Sequence, residues 1–88
     1  MEIERSNRKD KKYVAVFKDG TKIHFGATGY EDYTTHGDEK RKELYLARHK
    51  KREDWNDPKT AGSLSRWILW EYKSFDKAVR EFKKKFSV

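Results

Sequence analysis

Three histidines, His24, His36 and His49, and two nearby acids, Asp32 and Asp38, are the residue types here that could hold a metal ion. A metal-bound water would supply a hydroxide for phosphodiester cleavage. The spacing argues against that chemistry. His36 and His49 are 13 residues apart, roughly 20 Å along a helix that rises about 1.5 Å per residue. They can share one ion only if His36 folds well back. The sequence has no two-histidine pair at helical spacing, no glycine-rich phosphate loop and no nucleophile with an evident base. No catalytic residue, metal site or cofactor is therefore expected.

A second set of residues is better organised. The stretch DEKRKELYLARHKKREDW, Asp38–Trp55, reads as one helix from near Asp38 to about Arg52. Asp38 and Glu39 suit its positive N-terminal end, and cations fill its C-terminal half. Residues 40–52 carry seven Lys and Arg with Glu43 as the only acid, so this helix holds most of the chain's net charge of +7. Lys40, Lys42, Arg48, Lys50, Lys51 and Arg52 are its candidate phosphate contacts. At 100° per residue Arg41, Tyr45, Arg48 and Arg52 share a face, with Leu44 and Trp55 at its edge. Two readings stand side by side. Either Tyr45 and Leu44 dock on the hairpin while Arg41 and Arg48 pair with Asp32, Asp38 or Glu53, or the arginines form a row for phosphates.

Other elements must position this helix. Lys12–Gly26 reads as a β-hairpin: Tyr13–Phe17 is rich in strand formers, Asp19–Gly20 is a two-residue turn signal, and Thr21–Phe25 alternates. Ile23 and Phe25 face one side, Lys22 and His24 the other. A lone hairpin is not stable in water, so helices must cover its apolar face. Residues 26–37 form an irregular connection in which Tyr30 or Tyr33 anchors the loop. Asp57 and Pro58 are a good N-cap and first residue for a helix whose buried stripe is Leu64, Trp67, Ile68 and Trp70. Gly62 within it suggests close approach of another backbone. Trp67 and Trp70 read as core, with a stacking platform for bases as the sharper alternative. Ser74 caps a last helix in which Phe75, Ala78, Val79, Phe82 and Phe86 make an amphipathic stripe. Its outer face adds Lys83, Lys84 and Lys85 to the phosphate candidates.

The bulk numbers agree with a small basic module. Eighty-eight residues make one domain with little surface to bury. Hydrophobic residues are 34% and aromatic ones 15%, so a few rings carry the core. The absence of cysteine removes disulfides and thiolate metal sites. No apolar run is long enough to span a membrane, and residues 1–11 are polar and aperiodic, expected as an arm. Residues 12–88 are then a single α+β domain, one hairpin packed against three helices. Its expected core is Tyr13, Phe17, Ile23, Phe25, Tyr45, Leu64, Trp67, Ile68, Val79 and Phe82.

A hairpin followed by a helix resembles the ββα-metal nucleases, whose sites need ligands close together at the hairpin and the helix. A more specific resemblance rests on Phe25-Gly26, Asp32-Tyr33-Thr34, His36, Asp38, Arg41, Tyr45, Arg48-His49, Trp55, Asp57-Pro58, Thr60-Ala61-Gly62, Ser65 and Leu69-Trp70. From Tyr13 to Phe86 the chain resembles a small uncharacterised family of short proteins from large nucleocytoplasmic DNA viruses of eukaryotes. Ser63 and Leu64 are less bulky than that pattern leads one to expect. The resemblance implies a viral setting, in the host cytoplasm, nucleus or virion, but no activity. The expected function is nonspecific binding of DNA or RNA, associated with a viral genome or its packaging. The alternative is a non-enzymatic virion structural or assembly protein that bridges larger capsid subunits.

Overall fold

A computed structural model describes residues 1–88. It has an α+β fold: a three-stranded antiparallel sheet in the order β1-β2-β3, with helices packed on one face. The strands are β1 (Glu2–Arg5), β2 (Lys11–Val16) and β3 (Lys22–Ala27). Helices α1 (Tyr33–His36), α2 (Glu39–His49) and α3 (Ala61–Leu64) follow. A π-helical turn (Ser65–Leu69) continues α3, and α4 (Phe75–Phe86) closes the chain.

The segment 1–11, expected as a polar arm, instead contributes β1. Glu2 pairs with Val16, Ile3 with Ala15, Glu4 with Val14 and Arg5 with Tyr13. Strand pairing uses backbone groups, so a polar sequence can join a sheet if its few apolar side chains face the core. Here those are Met1, buried, and Ile3, packed against the core. The register aligns Ile3, Ala15 and Ile23 across one face, with Tyr13 and Phe25 beside them. The other face carries Glu4, Val14 and His24 in one row and Glu2, Val16 and Lys22 in the next.

The β2–β3 connection differs by one residue from the two-residue turn. The Gly20 amide donates to the Phe17 carbonyl (3.0 Å), and the Phe17 amide donates to Thr21 (2.9 Å). This is a three-residue loop ending at Gly20, whose φ is +90°. Asp19 accepts the Thr21 amide at 2.9 Å and the Lys59 ammonium at 2.5 Å. Those bonds, Lys59 first, hold its carboxyl well below the ordinary carboxylate range.

Ala15, Phe17 and Phe25 on the sheet meet Leu64, Ile68, Leu69, Ala78 and Phe82 from the helices. Of the expected core residues, Phe17, Phe25, Tyr45, Leu64, Ile68 and Phe82 are buried. Tyr13, Ile23, Trp67 and Val79 are half-buried at its margin. Gly26 lets the π-helical turn come close: a Cβ there would lie 2.9 Å from Leu69 Cδ1, and its φ is +79°. Gly26→Ala is expected to cost about 1–3 kcal/mol in urea unfolding, from the strained φ and the displaced Leu69.

The helix boundaries also differ from the sequence reading. Asp57 turns its carboxylate onto the Lys59 amide (3.0 Å), and Thr60 is the true N-cap, accepting the Ser63 amide at 3.1 Å. Four helices and a π-helical turn replace the expected three helices, because α1 forms within residues 26–37. Its cap is Asp32, which accepts the Thr34 amide (3.0 Å) and the Thr34 hydroxyl, while the Thr35 hydroxyl accepts the Asp32 amide at 3.0 Å. Ser74 caps α4 as expected, accepting the Lys77 amide at 3.2 Å.

Candidate nucleic-acid interface

Helix α2 begins where the sequence indicates. Asp38 caps it, accepting the amides of Lys40 (2.9 Å) and Arg41 (3.3 Å). It ends at His49, three residues before the expected end, so Lys50, Lys51 and Arg52 lie on the turn that follows. Only Tyr45 on α2 is fully buried. A helix this short with one buried side chain gains little from its own sequence, so its docking contacts hold it in place.

Those contacts are aromatic and ionic. Trp70 stacks on Tyr45 with centroids 4.2 Å apart and planes 4° from parallel. Tyr45 in turn stacks on His49 at 4.2 Å and 24°. Burial first, then the Glu53 carboxylate, pushes the Tyr45 phenol up from its ordinary value. At the other end of α2 the Tyr33 hydroxyl donates to Glu39, and this bond first of all raises the Tyr33 phenol to about 12. Tyr33 is buried and serves as the expected anchor, whereas Tyr30 is exposed.

Lys42, expected at the phosphate surface, turns inward. Its ammonium donates to the Glu71 carbonyl (2.8 Å), lies 4.0 Å from the Glu71 carboxylate and sits over the Tyr33 ring. It is a structural cation. Arg41 pairs loosely with Glu31 at 3.9 Å, both half-exposed, and an ion pair of that kind contributes little. The partners expected for the arginines are engaged elsewhere. Asp32 takes Lys12 at 2.8 Å, Asp38 caps α2, and Glu53 lies 3.2 Å from His49 Nδ1. Arg48, Lys50, Lys51, Arg52 and Lys40 are exposed, and none is within ion-pair distance of a carboxylate.

The cations of α4 form a separate group. Lys84 and Lys85 are exposed and Lys83 is half-buried. The Lys85 ammonium lies 4.4 Å from the Trp67 ring centre. Trp67 also stacks beneath the Arg66 guanidinium at 3.9 Å and donates its indole N–H to the Trp55 carbonyl at 2.9 Å. Trp67 and Trp70 thus have their partners within the fold, as a core role requires. Gly62 makes room for the Glu53 carboxylate rather than for a backbone: a Cβ there would lie 2.0 Å from Glu53 Oε2.

The three histidines serve separate contacts. His24 Nδ1 is 2.7 Å from the Ser6 hydroxyl, and His36 Nδ1 accepts the Asp38 amide at 2.9 Å. The latter bond assigns the His36 ring proton to Nε2, which is buried, with the Trp70 ring 5.3 Å away between centroids. No group of three His, Asp or Glu side chains comes together to hold a metal ion.

Sequence reasoning missed a groove of about 610 Å³ between α2, the end of β3 and the segment Ala61–Trp70. Arg41, Leu44, Arg48 and His49 line one side, Gly26 and Ala27 another, and Tyr45, Leu69 and Trp70 lie beneath. No α4 residue reaches it. Its one legible signal was Leu44, an apolar residue among cations.

The site thus belongs to a small α+β domain with an aromatic-floored groove beside an unpaired cationic cluster. The chain belongs to a family described as "Family of unknown function (DUF5754)", whose model matches residues 1–49, the span from β1 through α2. Neither the curated proteins nor the solved structures provide a match. No helix is long and apolar enough to cross a membrane.

Proposed function

We propose that the protein is a non-enzymatic nucleic-acid-binding protein that contacts phosphates with little regard to sequence. The supporting observation is the cluster Arg48, Lys50, Lys51 and Arg52, four exposed cations within five residues and without a carboxylate partner. Lys40, Lys84 and Lys85 extend the set, Lys83 stands at its margin, and Lys42 drops out. Unpaired surface cations gain most from a polyanion, because each phosphate they neutralise releases counterion. With the resemblance described above, the proposed setting is intracellular, on a viral genome or in its packaging.

Reversal of Lys50, Lys51 and Arg52 to Glu tests the reading. All three are exposed, Lys50 as the C-cap of α2 and the other two just beyond it. Acids there oppose the helix dipole, so the variant should lose about 1–3 kcal/mol yet stay folded, and binding is compared below its unfolding transition. Affinity for DNA and RNA duplexes at low salt should fall about tenfold or more, and the log–log salt slope should lose roughly 2–3. Retained affinity would reject the assignment.

The second reading, a virion structural or assembly protein between larger subunits, is favoured by Tyr30 and Leu44, which are 74% and 58% exposed. Large apolar side chains left in solvent suit a protein interface. Absence of duplex binding by the wild-type chain even at low salt would move the conclusion there.

A further inference from the structure

We infer that the groove beside α2 seats one unpaired base of a single strand, with Tyr30 as the stacking surface and Lys11 and Arg48 as its phosphate contacts. This rests on the nucleic-acid reading and deepens it. Tyr30 and Leu44 are the large hydrophobic residues left exposed, and both line this groove. Their coincidence at one concavity marks a surface that lacks its occupant.

The chemistry of that occupant follows from the charges. Three carboxylates line the groove, and each already faces a cation or ring nitrogen: Glu31 faces Arg41 at 3.9 Å, Asp32 faces Lys12 at 2.8 Å, and Glu53 faces His49 at 3.2 Å. Lys11 and Arg48 line it too and have no carboxylate within ion-pair distance. Even with His49 uncharged, Lys11, Lys12, Arg41 and Arg48 outnumber Glu31, Asp32 and Glu53 around the groove, so the charge left for a ligand is positive, and the free ring is aromatic. A flat π-surface tied to an anion meets both, and a nucleotide of a single strand is such a group. A duplex keeps its bases paired and stacked, so it can reach the exposed cations on the turn after α2 but cannot enter the groove.

The test compares fluorescence anisotropy of labelled oligothymidylate with that of a duplex of equal length at one salt concentration. Wild-type protein should bind the single strand more tightly than the duplex. Tyr30→Ala, at an exposed position and so compatible with folding, should weaken oligothymidylate binding roughly 5- to 100-fold. Tyr30→Phe should retain it. Duplex affinity and both salt slopes should stay as in the wild type, because no cation is removed. Equal affinity of the wild type for the two probes, or oligothymidylate binding indifferent to Tyr30→Ala, would overturn the groove site and leave the phosphate reading standing. Failure of both probes to bind would overturn the phosphate reading and this one together, and would assign the groove to a protein partner.

Discussion

Replacement of Asp32 by Ala is expected to lower the unfolding free energy by about 3–5 kcal/mol, measured by urea denaturation. The carboxylate is 5% exposed and does two jobs at once. One oxygen receives the Lys12 ammonium at 2.8 Å; the other receives the Thr34 amide and hydroxyl at the start of α1. Loss of the cap alone costs about 0.5–2 kcal/mol. The larger effect is on Lys12, whose side chain is only 22% exposed. Without Asp32 it keeps its charge in a half-buried place with no partner, and breaking a buried pair from one side is costly. A second substitution separates the two contributions. In an Asp32→Ala background, Lys12→Met should restore most of the ion-pair loss and none of the capping loss. Equal stability of Asp32→Ala and the double variant would show that the unpartnered Lys12 charge is not the source of the loss.

Trp70→Ala is the second large effect, about 3 kcal/mol, near the low end for loss of a packed Trp because this one is half-buried. Its consequence should be local. Trp70 is the ring on which Tyr45 rests, and Tyr45 is the only buried residue of α2. Removal of the floor leaves α2 held by Lys42 on Glu71 and by Tyr33 on Glu39. Amide hydrogen exchange in α2 should then accelerate far more than exchange in β2. Uniform acceleration across both elements would mean that Trp70 supports the whole fold and not this helix in particular.

The sheet and its helical cover were legible where side chains carry the signal. The alternation around Ile23 and Phe25 and the stripe from Phe75 to Phe86 mark elements that form, and Asp19–Gly20 marks the place of the hairpin loop, which is one residue longer than the expected turn. β1 was not legible, because Ile3 is its only apolar residue, with Met1 just before it, and its main stabilisation is backbone pairing. The start of α3 was misplaced because Asp57-Pro58 and Thr60 are both good start signals; Asp57 is spent on a turn to Lys59. The π-helical turn had a faint trace. It lies only in the adjacent Ile68 and Leu69, both buried with Leu64, and an ordinary α-helical stripe also includes neighbouring positions, so the sequence does not separate the two helix types there.

Of the candidate site, the identity of the basic stretch was readable and its geometry was not. Lys42 and Lys50 look alike in sequence, yet one is bonded to Glu71, 29 residues away, and the other is free. Only the tertiary fold decides which lysines a partner can reach. The groove was hidden for the same reason. Its walls come from segments far apart in the chain, and Leu44, an apolar residue among the cations of α2, is its one trace in the sequence.

Residues 1–49 contain the entire sheet and α2, but Leu64, Ile68, Leu69, Ala78 and Phe82, which cover the sheet's apolar face, all come later. Trp70, under Tyr45, also lies 21 residues beyond the matched stretch, which ends at residue 49. A nascent chain that had emerged from the ribosome only as far as α2 would expose Ala15, Phe17 and Phe25 to water. On its own the matched stretch therefore leaves the sheet's apolar face bare, and during synthesis it depends on the C-terminal half to close over it.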